Sequence, residues 1–145
     1  MQEQQIFELA LKRNIPMVGI CRGSQFLCAM SGGKLVQNIR GHGGNHNVRT
    51  IDGRLISVTS THHQMQLPPV GATVIAWAEP SLSNIYEGIT PHKDIMLPER
   101  EYDCVYYPQT RALGMQYHPE YMLENSEGFL YCQELVEEYI LKSPE

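Results

Sequence analysis

Along the first dozen positions apolar residues recur at the spacing of one helical face: Ile6, Phe7, Ala10 and Leu11 within Gln4 to Arg13. Asn14 can close that helix, and Pro16 cannot continue it. The pattern then changes. Pro16-Met17-Val18-Gly19-Ile20 is a short apolar run with no polar position, which predicts a strand covered on both faces, as in a parallel sheet between helices. Cys21 follows at once. From Arg22 to Ser31 helical spacing returns, with Phe26, Leu27, Ala29 and Met30 as the apolar face, and Gly32-Gly33 ends the segment as a helix C-terminus should.

From Lys34 to Ala78 the pattern is one of short strands: Leu35-Ile39, Asn47-Thr50, Arg54-Thr59 and Thr73-Ala78, with Asp52-Gly53 as a hairpin turn. Glu79 to Arg100 is rich in Pro, Ser and Asn and predicts no element. Tyr102-Tyr107 and Ala112-Tyr117 read as two strands joined by Pro108-Gln109-Thr110-Arg111. Ser126 to Leu141 sets Phe129, Cys132, Val136, Tyr139 and Ile140 on one helical stripe, started by Asn125 or Ser126. With no repeats and no internal linker, residues 1–145 are expected to form one α/β domain.

Composition narrows the function classes. The chain has 145 residues, enough for one real core. Eleven basic residues stand against sixteen acidic ones and no basic run occurs, so nucleic acid is not the expected partner. No apolar stretch approaches the roughly 20 residues that span a bilayer, and the polar start Met1-Gln2-Glu3-Gln4-Gln5 is not a secretory signal. Cys21, Cys28, Cys104 and Cys132 have no C-x-x-C spacing, so thiols in a reducing cytoplasm are expected.

The junction at Cys21 is where chemistry enters. A nucleophile held in a sharp strand-to-helix turn projects clear of the backbone. Gly19 and Gly23 flank Cys21 as G-x-C-x-G, small neighbours that a tight turn and a close substrate approach require. The following helix aims its N-terminus at the sulfur, which favours thiolate, and the Arg22 N–H is placed to meet an oxyanion. His118 ends an apolar strand in Gly114-Met115-Gln116-Tyr117-His118-Pro119-Glu120. In an α/β sheet such strand ends converge on one edge, which brings Cys21 and His118 together as nucleophile and base. Glu120, held by Pro119, can orient the imidazole.

Four ordered blocks resemble the class I glutamine amidotransferases and their γ-glutamyl hydrolase relatives: Pro16 to Gln25, Ser31-Gly32-Gly33-Lys34-Leu35, Ser60-Thr61-His62-His63-Gln64, and Gly114 to Glu120. The resemblance implies a partial flavodoxin-like sheet with helices on both faces. It also implies a cysteine-dependent amidohydrolase that cleaves γ-glutamyl amides through a thioester and needs no cofactor. Carried over, Cys21 is nucleophile, His118 general base and acid, and Glu120 the orienting carboxylate. Arg22 is then the backbone oxyanion donor, while Gln25, His62, His63 and Gln64 contact the small-molecule γ-glutamyl substrate. Arg22 and the His-His-Gln segment resemble the γ-glutamyl-amine hydrolases more than the synthetase-coupled glutaminases. Two further readings stand beside the stand-alone hydrolase: a glutaminase subunit delivering ammonia to a partner synthetase, and a silent binding or regulatory module.

The family pattern also includes strand-helix units ahead of the first helix, with a glycine-rich loop supplying a second oxyanion N–H. No such loop precedes Gly19. A fragment or misplaced start, a second subunit (a copy of the chain or a synthetase) over the exposed sheet, and a reduced relative are the three explanations. Metal binding by His42-Gly43-Gly44-Asn45-His46 or His62-His63 is not expected, because two glycines break one pair and strand alternation separates the other. Cys28, Cys104 and Cys132 are expected to pack as small hydrophobes, Tyr106, Tyr107, Tyr117 and Tyr121 as core and rim, and Glu137-Glu138 as a solvated face.

Overall fold

The first periodic segment forms α1 (Glu3–Lys12), which buries Phe7 and Ala10; the computed structural model describes residues 2–36, 38–39, 45–59, 65–78, 86–87 and 102–142. Asn14 stops the helix by adopting φ +55°. Its N–H bonds Leu11 O at 3.1 Å and the next N–H, that of Ile15, reaches back to Ala10 O at 2.8 Å, which is a Schellman closure. The chain then runs through β1 (Met17–Ile20), α2 (Arg22–Met30), β2 (Lys34–Val36), β3 (Asn38–Ile39), β4 (Asn45–Thr50), β5 (Leu55–Thr59), β6 (Met65–Leu67), β7 (Thr73–Ala78) and β8 (Tyr86–Glu87). It continues as β9 (Tyr102–Tyr107), β10 (Ala112–Met115), a 3-10 turn Pro119–Tyr121 and α3 (Glu127–Val136), whose last turn widens to a π-helix over Glu137–Leu141.

Among the described residues six strands make one sheet in the order β1-β10-β9-β7-β4-β5, and β2–β6 and β3–β8 form two small ladders. Only β1 and β10 run parallel; the other four pairings in the sheet are antiparallel. The expected parallel setting therefore holds for the strand before Cys21 and its neighbour alone. Short turns dictate the antiparallel pairings β4–β5 and β9–β10, since a turn of a few residues can join only antiparallel strands, whereas β7 pairs with β4 and β9 across longer stretches of chain. Gly53 at φ +91° closes the β4–β5 turn with its N–H on Thr50 O, and Arg111 at φ +54° ends the β9–β10 turn.

Helices cover both faces. Phe7 and Leu27 pack with Leu67, Val105 and Tyr107 on the side of α1 and α2. Tyr131, Cys132 and Leu135 of α3 pack with Ile56, Leu113 and Tyr117 on the other. Cys28 and Cys104 are fully buried and Cys132 nearly so, Tyr107 and Tyr117 lie in the core, Tyr121 sits on the rim, and Glu137 and Glu138 are exposed, as the patterning predicts.

Two expectations are corrected. The all-apolar run 17–20 is not covered on both faces: Gly19 is buried beneath α2, but Val18 and Ile20 remain 39% and 38% exposed. They open onto an apolar groove of about 380 Å³ shared with Phe129, Cys132, Val136 and Leu141. Among the described residues β1 pairs on one side only, so it is an edge strand. A run without polar positions says that burial is available and does not say what supplies it. Second, Ala29 is exposed, and α2 buries Ser24, Gln25, Leu27 and Cys28 instead. Two of those four are polar, and the reason lies at the site.

No helix among the described residues is long and apolar enough to cross a membrane. Among them no group of three His, Cys, Asp or Glu is arranged to hold a metal ion.

Candidate active site

Cys21 occupies the turn between β1 and α2 with φ +54° and ψ −109°, a conformation that side chains with a Cβ rarely adopt. Hydrogen bonds hold it there. Its N–H donates to Met115 O at 2.7 Å, and its carbonyl accepts from Ser24 N at 3.0 Å, Gln25 N at 3.2 Å and Ser24 Oγ at 2.6 Å. The elbow is thus tied on one side to β10 and on the other to the first turn of α2.

The two glycines of G-x-C-x-G have different jobs. A Cβ on Gly19 would lie 2.5 Å from both C and O of Gly23 and 2.7 Å from Leu27 Cδ1, so α2 packs directly on the β1 backbone. A Cβ on Gly23 would meet nothing within 4 Å. Gly19→Ala is therefore expected to destabilise the fold by about 1–3 kcal/mol or more through overpacking. Gly23→Ala should leave stability unchanged or raise it by up to about 1 kcal/mol, since alanine suits a helix better. Urea midpoints of the two variants check both.

Partial burial raises the Cys21 thiol above its ordinary value of 9.0, and the Glu120 charge adds to the rise; the Arg22 N–H pulls the other way without cancelling them. The thiolate expected from the helix N-terminus is thus not the resting state, and a base is needed at neutral pH. That same backbone N–H of Arg22 is directed at the sulfur, where an oxyanion donor belongs. The Arg22 side chain leaves the site: 81% exposed, it pairs with Glu3 at 2.5 Å.

The parallel pairing of β1 and β10 puts Ile20 opposite Met115, so the segments carrying Cys21 and His118 leave the sheet side by side. The His118 N–H is fixed on Thr59 O at 2.8 Å. Pro119 then starts the 3-10 turn, and Glu120 Oε1 comes to 2.6 Å from His118 Nδ1. The Tyr121 ring lies over the imidazole, 4.9 Å between centroids. Burial pushes the Glu120 carboxyl up, but hydrogen bonds from His118 and from its own backbone, with the attraction of His118, bring the net shift below the ordinary 4.5.

Gln25 is 8% exposed and donates its amide Nε2 to Gln116 Oε1 at 3.3 Å. His62, His63 and Gln64 lie outside the described residues, as does His42. His46 lies on β4, buried, with Nε2 2.5 Å from Asp103 Oδ2. Ser24 and Gln116 received no role from the sequence, though both stand inside recognised blocks. The available signal was a glutamine inside the otherwise apolar run Ala112-Leu113-Gly114-Met115-Gln116-Tyr117.

Comparison with known proteins bears on the family and the fold. Residues 1–85 match the Peptidase C26 family. The carbamoyl phosphate synthase small chain of Buchnera aphidicola (subsp. Acyrthosiphon pisum) is 48% identical over 54 residues, 37% of this chain and 14% of that protein. The small chain of Vibrio cholerae is 44% identical over 54 residues, with the same coverage of both chains. A glutamine amidotransferase from Thermotoga maritima superposes with a TM-score of 0.59 at 22% identity, over 94% of this chain and 52% of that one. The glutamine amido transferase of Methylobacillus flagellatus gives 0.59 at 16%, over 92% and 47%. The chain spans about half the length of these two structures. At such identities they establish the α/β fold of the class I glutamine amidotransferases, and with more than half of its residues matched, the chain belongs to the Peptidase C26 family.

Proposed function

We propose that the chain is the glutamine-hydrolysing part of an amidotransferase, a glutaminase that passes ammonia to a partner synthetase. What carries the reading is the elbow at Cys21 bonded to the end of β10, whose continuation bears the His118–Glu120 pair. The identity to synthase small chains supports a synthetase partner over the stand-alone γ-glutamyl-amine hydrolase. In this scheme His118 takes the Cys21 proton and the sulfur attacks the γ-amide carbon of glutamine. The Arg22 N–H receives the oxyanion. The C–N bond then breaks, ammonia leaves with the proton from His118, and a glutamyl thioester remains. Water, deprotonated by His118, releases glutamate and restores the thiol. Gln25 with His62, His63 and Gln64 binds the glutamyl group in this scheme.

We place the partner on the edge of β1 and the apolar groove beside Val18 and Ile20. A second oxyanion donor is worth roughly 10²–10³ in rate, and in this scheme the covering segment supplies it.

The test is mass spectrometry after exposure to glutamine and to a series of γ-glutamyl amines, with released glutamate measured in parallel. An adduct on Cys21 formed from glutamine, absent from Cys21→Ala, is the expected result. Preference for a γ-glutamyl amine would favour the stand-alone hydrolase. A folded chain that forms no adduct and releases no glutamate would exclude the stand-alone hydrolase and leave the partner-dependent glutaminase and the silent module, which addition of the synthetase separates.

A further inference from the structure

The strained conformation of Cys21 persists only where the surroundings over-determine it, because such a backbone costs on the order of 1–3 kcal/mol. One of its restraints is indirect. Ser24 Oγ donates to the Cys21 carbonyl at 2.6 Å and accepts from Gln116 Nε2, also at 2.6 Å. A hydroxyl has one proton and rotates to suit its neighbours. With a lone pair held by the Gln116 amide, the Ser24 proton is directed at the Cys21 carbonyl. The other end of the Gln116 amide accepts from Gln25 Nε2 at 3.3 Å, so both buried polar residues of the first α2 turn are held by one side chain. Ser24 and Gln116 are completely buried and Gln25 nearly so. Their polarity thus costs desolvation that an apolar pair would avoid.

Gln116 is itself held by its backbone. Its N–H bonds Asp103 O at 2.8 Å, and it precedes by two residues the imidazole whose backbone is fixed on Thr59. One strand end therefore delivers both His118 and the brace that sets the Cys21 turn.

We propose that Gln116, acting through Ser24, is a positioning residue that sets the approach of the Cys21 sulfur relative to His118. The inference rests on the glutaminase reading. Gln116 does not touch the reacting atoms; it fixes the turn that carries one of them. Misplacement of a nucleophile by about 1 Å can cost on the order of 10²-fold in rate, whereas the ease with which a thiol meets a small untethered reagent depends little on such placement.

The experiment separates these two. Cys21 of the full chain is alkylated by iodoacetamide and, separately, by a chloroketone analogue of glutamine, and the rates are read by mass spectrometry. Gln116→Met keeps the volume and removes the hydrogen bonds to Ser24 and from Gln25; Ser24→Ala cuts the same link with a smaller change. The expected result is a loss of about tenfold or more toward the chloroketone, with the iodoacetamide rate within about twofold of the parent. Ser24→Ala with Gln116→Met should lose no more than the worse single variant, because the two act in series. Should Gln116→Met fail to fold, Ser24→Ala carries the comparison alone. Equal losses toward both reagents, or no loss toward either, would overturn the positioning role. A parent protein that the chloroketone labels no faster than free cysteine would sink the glutaminase reading, and this inference with it.

Discussion

Alanine in place of Asp103 is expected to cost about 1–3 kcal/mol of folding stability, the penalty typical when a buried polar group loses its hydrogen-bond partner. Asp103 is completely buried on β9, and its Oδ2 lies 2.5 Å from Nε2 of His46, whose side chain is 4% exposed. The two residues are on β9 and β4, with β7 between them, so the contact reaches across a strand. The β7–β9 register is irregular at this point: Ala76 pairs with Cys104 and Trp77 with Tyr102, leaving Asp103 unopposed in the ladder. A bulge of this kind turns a side chain out of its usual alternation, here toward His46. Truncation would leave the imidazole buried beside a cavity. Against a total stability of order 5–15 kcal/mol for a domain, such a loss should move the urea midpoint down. Asp103→Asn keeps an oxygen acceptor and should lose less. Replacing both partners with leucine should recover most of the loss, since buried pairs are often no better than apolar ones. If Asp103→Ala melts like the parent, the pair contributes little to the fold.

None of this pair was legible in the sequence. His46 stood out only as part of a histidine-rich loop, and the strand that holds it becomes evident only through partners distant in the chain. What periodicity does reveal is local. The helix before Asn14, the Cys21 elbow, the hairpin at Asp52-Gly53 and the strand Tyr102-Tyr107 each depend on neighbours within a few residues, and all four are found. The predicted strand Leu35-Ile39 is found as β2 and β3, but their partners β6 and β8 have three and two residues, too short for a two-residue alternation to register. Orientation within the sheet was harder still. Four apolar residues at 17–20 fit a doubly covered strand and an edge strand equally well, because hydrophobicity records the demand for cover and not its source. At the site, the motif blocks pointed to Cys21, His118 and Glu120. The direction of the thiol's shift depended on burial and on the distance to Glu120, quantities that no spacing encodes.

That shift sets up the largest effect on activity. His118→Ala is expected to slow thioester formation on Cys21 at neutral pH by about 10²–10⁴-fold, the usual contribution of a positioned base. Burial first, and the Glu120 charge second, hold the thiol above its ordinary 9.0, so at pH 7 nearly all of it is protonated. With His118 present, the proton leaves during attack and the rate does not wait for ionisation in advance. Without it, only the pre-formed thiolate reacts, and that fraction grows about tenfold per pH unit until the thiol's own pKa is reached. The variant's rate should therefore climb steadily through pH 9, and its deficit should shrink as the pH rises. Glu120→Gln separates the two parts played by the carboxylate. It removes the charged acceptor 2.6 Å from His118 Nδ1, so turnover should fall. It also removes a negative charge that holds the Cys21 proton on, so iodoacetamide labelling of Cys21 should reach its inflection at a lower pH than in the parent. Turnover would then fall while the thiol ionises more readily; loss of burial would also let the thiol ionise more readily, so an unchanged urea midpoint of Glu120→Gln is the control that assigns the effect to the charge. A His118→Ala protein with the parent's rate and pH profile would remove His118 from the chemistry and leave Cys21 without a base.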